Sequence, residues 1–185
     1  MLGKIFVITG TSGSGKTTLA DIVLKKSELN LSKLISYTSR PPRNSEKNGV
    51  HYNFVSREKF EEMISLDLFF EHAEVYGNYY GSLKSDVDEL LASGKNVLFV
   101  IDVQGAEAIK QKNKNVFVIF VRTPSIDELR NRIEKRAQDS KEKIEERLKQ
   151  AEQEEKKAEL FDYVLVNNNL QESTQTMAEV IQNNK

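Results

Sequence analysis

Residues 10–18 read GTSGSGKTT, and the fold follows from what flanks them. The spacing is G-x-x-x-x-G-K-[ST], filled by Gly10, Gly15, Lys16 and Thr17. In such a loop, successive backbone N–H groups near 13–16 point at phosphate oxygens, aided by the positive end of the following helix. Thr11, Ser12, Gly13, Ser14 and Thr18 complete the cradle. Lys16 reaches the β- and γ-phosphates, and the Thr17 hydroxyl is a Mg²⁺ ligand. The motif needs a strand before it and a helix after it. IFVI at 5–8 is a short β-branched run of the kind buried in parallel sheets. Residues 17–26 read as a helix with Leu19, Ile22 and Val23 inward.

Further apolar runs stand at 97–101, 116–121 and 163–166, separated by helical patterns. That alternation predicts an α/β fold with a mainly parallel sheet flanked by helices. Ser125 and Glu128 form a capping-box pattern just after Pro124, so a helix starts there. Two regions break the alternation. Residues 36–83 hold five of the six tyrosines, both histidines and two of the three prolines. They read as short strands and loops with one helix near 56–66, an insertion with its own task. Residues 134–159 are mostly charged, with Ile144, Leu148 and Ala151 as a thin apolar stripe. They read as a solvated helical region too polar for a core layer.

Composition narrows the function. The chain has 185 residues and a net charge of −1, which argues against broad nucleic-acid or membrane attraction. It contains no cysteine, so disulfides, thiol nucleophiles and cysteine–zinc sites are excluded, and a cytoplasmic protein is expected. No apolar run approaches the roughly 18 residues of a membrane helix. The phosphate loop begins so early that no cleavable targeting segment is expected before it. His51 and His72 lack metal-ligand spacing. No obligatory protein partner is evident.

The other chemistry-bearing residues cluster. Asp102 ends VLFVID at 97–102, where an acid suits a position near Mg²⁺; the plain alternative is a cap for the next helix. Arg40 and Arg43 lie in SYTSRPPR at 36–43, followed by Glu46 and Tyr52; two arginine forks in a proline-stiffened loop suit a phosphate, or simply make a basic turn. Glu71 sits among apolar and aromatic residues in FFEHAEVYGNYYGS at 69–82, so burial would oblige it to find donors. Tyr76 and Tyr79 read as core aromatics. Arg132 and Arg136 share a helix face, and Arg147 follows; surface pairing, such as Glu128 with Arg132, is the alternative.

Together SYTSRPPRNSEKNGVHYNFV at 36–55, FFEHAEVYGNYYGS at 69–82 and IDVQG at 101–105 resemble the guanylate kinase family of phosphate-loop nucleoside-monophosphate kinases, over nearly the whole chain. The resemblance implies a phosphate-loop NTPase core at 1–35, 84–125 and 151–185. It implies a small mixed-β GMP-binding insertion at 36–83 and a helical lid at 126–150. The implied reaction is Mg²⁺-dependent transfer from ATP to GMP or dGMP, within purine nucleotide metabolism. Ser36, Glu71 and Ser82 match the family's guanine readers. Arg40, Arg43, Tyr52 and Tyr80 match the holders of the acceptor phosphate, with Glu46, Gly81 and Asp102 in the same pocket. Lys16, Asp102, Arg132, Arg136 and Arg147 match the catalytic set.

The chemistry is consistent with those roles. Guanine presents N1–H and an exocyclic amine side by side to one carboxylate, whereas adenine would face Glu71 acceptor to acceptor. Three positions depart from the family pattern: Val100 replaces an acid, and Ser45 and Ala137 replace glycines. The adenine pocket is poorly marked in the sequence, with residues 167–169, after the last strand, as a candidate. Two rivals share motifs. A GTP-binding switch protein is compatible with D-x-x-G at 102–105, but 113–116 lacks the aspartate of N-K-x-D. A non-enzymatic guanylate-kinase-like interaction module tends to have a damaged phosphate loop, and here the loop is intact.

Overall fold

The computed structural model describes the chain apart from Met1, Asn44, Ser45, Tyr76, Lys114 and residues 137–140; for Arg136, Lys141 and Lys143 it describes the backbone alone. The expectations for Tyr76, Ser45, Ala137 and the Arg136 side chain therefore lie outside the described residues.

The central sheet contains β1 (Ile5–Gly10), β2 (Leu31–Lys33), β7 (Asn96–Val100), β8 (Val116–Arg122) and β9 (Tyr163–Val166). Its order is β2-β7-β1-β8-β9, and every pairing is parallel. Side chains alternate across each strand, so the apolar runs feed two cores. Val7, Val97, Phe99, Val118 and Phe120 face α3 (Lys84–Ala92) and α4 (Val103–Lys112). Phe6, Ile8, Leu98, Ile119 and Val121 face α1 (Lys16–Val23) and α7 (Leu170–Asn183). Helix α1 stops short of the expected residue 26, because the N–H groups of Lys25 and Lys26 bond three residues back, to Ile22 and Val23. Among the described residues no helix is long and apolar enough to cross a membrane.

A second sheet has the order β4-β3-β6-β5, built from β3 (Tyr37–Thr38), β4 (Asn53–Phe54), β5 (Phe69–Val75) and β6 (Asn78–Leu83). Helix α2 (Arg57–Ser65), capped by the Ser56 hydroxyl, packs on it through Phe60 and Met63. Phe60 stacks on both Phe69 and Tyr79, with centroids 4.4 and 5.3 Å away. Tyr79 is thus a core aromatic, as its surroundings in sequence imply.

The charged region contains α5 (Ile126–Arg136) and α6 (Lys141–Glu155). Ser125 caps α5, accepting from the Glu128 N–H at 3.1 Å. The thin stripe proves to be a small core of its own: Ile144, Leu148 and Ala151 are buried against Leu129 and Ile133 of α5. Solvation is therefore confined to the outer faces, a correction to the reading of 134–159 as a largely solvated region too polar for a core layer. Gly13 underlies this seam. A Cβ there would lie 3.1 Å from Ile133 Cγ1 and 3.2 Å from Leu129 Cδ1.

Phe60→Ala removes two ring stacks and leaves a void under the second sheet. Urea unfolding is expected to show a loss of about 3–5 kcal/mol.

Candidate functional site

Chain order places the site. From β1 the chain runs to β2 and back through β7 on one side, while β8 lies on the other. Ligands of open α/β sheets bind beyond the carboxyl ends of strands where the order reverses in this way. The phosphate loop leaves β1 at that point. Gly15 caps α1 with φ 96, a conformation that favours glycine. A Cβ at Gly15 would also meet Asn167 Nδ2 at 2.3 Å. That amide donates to the Ser14 carbonyl at 2.8 Å, and Arg132 Nη2 donates to the Asn167 carbonyl at 3.0 Å. Arg132 also pairs with Glu128 at 2.7 Å, the surface pairing read from sequence as the alternative to a site role. Lys16 Nζ donates to the Gly10 and Thr11 carbonyls at 2.6 and 2.7 Å. The hydroxyls of Thr11 and Ser14 are buried with no hydrogen-bond partner among the described residues.

A cleft of about 370 Å³ runs from this loop into the second sheet. Ser12, Lys16, Thr17 and Asp102 line one end; Ser36, Tyr52, Glu71, Tyr80 and Gly81 line the other. The capping reading of Asp102 is seen directly. The residue caps α4, its Oδ1 accepting from the N–H groups of Gln104 and Gly105 at 2.8 and 3.1 Å, and it faces the cleft. Val100 also lines the cleft and puts an apolar surface where the family pattern has an acid.

Strand pairing assembles the buried polar end. Glu71 of β5 lies opposite Ser82 of β6. Ser82 Oγ donates to Glu71 Oε1 at 2.9 Å, and Ser36 Oγ lies 3.2 Å from Ser82 Oγ. Gly105 of α4 packs beside this end: a methyl group there would be in ordinary contact with Glu71 Oε2, at 3.7 Å. Glu71 is 6% exposed. Burial pushes its carboxyl up to about 7, against the Ser82 bond, with the Asp102 charge adding to the rise.

The arginine loop is pinned by Glu46. Arg40 donates to both Glu46 oxygens, at 2.6 and 2.7 Å, and the Arg43 N–H donates to the same carboxylate at 2.8 Å. The Arg40 bond holds Glu46 down at about 2. The Arg40 guanidinium stands 5.2 Å from the Tyr52 ring centroid, and Tyr52 meets Tyr80 edge to face. Arg40 Nε is buried without a hydrogen-bond partner among the described residues, a donor suited to an anion. The Arg43 side chain is exposed.

A second pocket, about 340 Å³, lies behind the loop between Gly13, Gly15, Thr18, Arg132, Asn168 and Leu170. It adjoins residues 167–169, although the Asn167 amide is committed to the phosphate loop. The structure also brings in residues that the sequence did not single out. Gln150 and Glu154 of α6 line the main cleft, and so do Lys33 and His51. The stripe at 144, 148 and 151 carries the only signal for the first two, since helical spacing sets 147, 150 and 154 on an adjoining face.

A phosphate loop opening into a polar cleft, with a Glu46-pinned arginine in the adjoining loop, defines a nucleotide-binding protein of the phosphate-loop class. The family model described as guanylate kinase matches residues 2–184. A guanylate kinase of Neisseria gonorrhoeae is 42% identical over 179 residues, covering 97% of this chain and 87% of the relative. One from Thermus thermophilus is 46% identical over 173 residues, covering 94% and 78%. The crystal structure of guanylate kinase from Anaplasma phagocytophilum superposes with a TM-score of 0.80 at 34% identity, covering 98% of this chain and 86% of that one. The chain belongs to the guanylate kinase family.

Glu71 gives a pH signature with a definite sign. Its folded pKa of about 7 exceeds the ordinary 4.5, so the native state binds more protons between those values. Stability is then full below the ordinary value and declines as pH rises through 7. Relative to Glu71→Gln, the wild type is expected to lose about 3 kcal/mol between pH 4.5 and 8. Urea midpoints of the two proteins across that range measure the difference. A constant gap would contradict the buried, protonated carboxyl.

Proposed function

We propose that this chain transfers the γ-phosphoryl group of ATP to GMP, and to dGMP, giving ADP and GDP. The observation that carries this reading is the Glu71–Ser82–Ser36 chain, buried at Glu71 and Ser82 and opening into the same cleft as Lys16. Ionised Glu71 accepts from guanine N1–H and the exocyclic amine, and the serine hydroxyls serve guanine O6. Adenine has no N1–H to give. A site built on such bonds rejects the analogue lacking them by about 10⁴–10⁵. Arg40, held by Glu46, offers Nε to the acceptor phosphate, with Arg43, Tyr52 and Tyr80 around it and Gly81 in the wall.

The donor lies on residues 10–18. Thr18, Asn168 and Leu170 form one wall of the adenine pocket. A monophosphate ester has a second pKa near 6, so the acceptor is largely dianionic at pH 7 and needs no general base. One of its oxygens attacks the γ-phosphorus, the bond to the β–γ bridging oxygen breaks, and ADP leaves with that electron pair. Lys16 and Arg132, Arg136 and Arg147 offset the charge of two approaching phosphates. The exposed Thr17 hydroxyl and the cleft-facing Asp102 carboxylate are hard oxygen donors that fit Mg²⁺, the first as ligand and the second beside it. Bound there, the metal neutralises charge on the β- and γ-phosphates. Residues 36–83 act as the acceptor-binding insertion and 126–150 as a lid that excludes water.

ADP release measured with ATP, Mg²⁺ and each of GMP, dGMP, AMP, UMP and dTMP tests the assignment. GMP and dGMP are expected to work and the others to fail; equal use of AMP or UMP would overturn the guanine reading. ADP formed at the same rate without acceptor would make the protein a hydrolase instead. Glu71→Gln is expected to raise the KM for GMP by at least about 100-fold while ATP binding stays within about threefold. Equal losses for both nucleotides would remove Glu71 from base recognition.

A further inference from the structure

Helix α6 brings to the phosphate loop a carboxylate that the phosphoryl transfer itself does not use. Its apolar stripe is fixed against Leu129 and Ile133, which turns Gln150 and Glu154 into the cleft beside Lys16, Thr17 and Asp102. Gln150 Nε2 donates to Glu154 Oε1 at 2.9 Å, so the carboxylate is held in place. Four groups act on it. Burial raises its pKa, the Gln150 bond opposes this, Lys16 and Lys157 favour its charge, and Asp102 disfavours it. Lys157 is itself engaged by Glu107 at 2.6 Å. Glu154 and Asp102 thus place two carboxylates in the same cleft as the Lys16 ammonium.

We propose that Glu154 is a specificity-determining residue that makes nucleotide binding depend on the divalent cation. The inference rests on the proposed function, in which the phosphate loop holds a nucleoside triphosphate. A bare triphosphate brings its full negative charge to Lys16 and must face the Glu154 carboxylate as well as Asp102. The metal complex brings two fewer negative charges, together with a cation that both carboxylates attract. Glu154 therefore penalises the bare nucleotide and spares the complex. A single carboxylate acting through a partly solvated cleft is sufficient for a change of about tenfold in affinity.

The test is the dissociation constant of ATP with Mg²⁺ and with EDTA, by titration calorimetry, and the ratio between the two. Glu154→Gln keeps the shape and the bond to Gln150 while removing the charge. It is expected to tighten metal-free binding about tenfold and leave metal-bound binding within about twofold. Glu154→Asp retains the charge and is expected to keep a ratio near that of the wild type. Gln150→Glu, which adds a charge one turn earlier on the same face, is expected to widen the ratio and serves if Glu154→Gln does not fold. Glu155→Gln, at the neighbouring carboxylate that faces Arg122, is expected to leave the ratio unchanged. An unchanged ratio in Glu154→Gln, an equal weakening under both conditions, or an equal effect of Glu155→Gln would overturn the proposal. If wild type binds ATP under neither condition, the phosphate-loop reading fails and this inference fails with it. If it binds and the ratio is insensitive to residue 154, this inference alone fails.

Discussion

The buried amide of Asn167 is the constraint on which the phosphate loop depends. It satisfies the Ser14 carbonyl, which points away from any ligand, and fills the space where a side chain on Gly15 would sit. Its own N–H is held by the Arg122 carbonyl at the end of β8, and its carbonyl receives Arg132 from α5. One residue therefore ties the loop after β1 to the neighbouring strand ends and to the helix above. A loop whose N–H groups must point at phosphate has to turn its carbonyls elsewhere, and a carbonyl buried without a donor costs about 1–3 kcal/mol. Asn167 supplies that donor.

The cleft beyond the loop separates two kinds of electrostatics. At the end lined by the second sheet, Glu71 is buried deeply enough to favour its neutral form, and Ser82 offsets only part of that cost. At the arginine loop the balance reverses, because the fork of Arg40 keeps Glu46 ionised far below the ordinary carboxylate range. The first group gains most from a ligand that brings hydrogen-bond donors. The second needs nothing and serves to hold Arg40 rigid. Two carboxylates of opposite disposition thus stand within residues 36–83.

The central strands were legible in the sequence because parallel strands buried on both faces read as unbroken apolar runs, as 5–8, 97–101 and 116–121 do. The motif at 10–18 specified the loop and the helix after β1. The insertion was legible as a composition and, through its resemblance to a known family, as a set of residues. Its two-residue strands β3 and β4 carry no periodicity to detect. Asn167 and Glu154 were not legible in their actual positions. The first acts through a carbonyl whose direction is set by the turn at Gly15, and the second is one acid among many until the α5–α6 seam fixes which face of α6 looks inward. The stripe at 144, 148 and 151 read as too thin for a core layer for the same reason. Five apolar side chains on two helices make a core only when the helices meet.

Gly13 sits where two demands coincide. Its φ of 90 belongs to the phosphate loop, while the space above it belongs to Leu129 and Ile133 of the α5–α6 seam. The nucleotide cradle and the helical pair are therefore not independent modules. Any enlargement at 13 reaches the seam before a ligand is present, and any bulkier residue at 129 or 133 presses on the loop. Across descendants of this chain, substitutions at 13, 129 and 133 would therefore be coupled, and a helical pair grafted from a distant relative would have to suit the glycine loop beneath it.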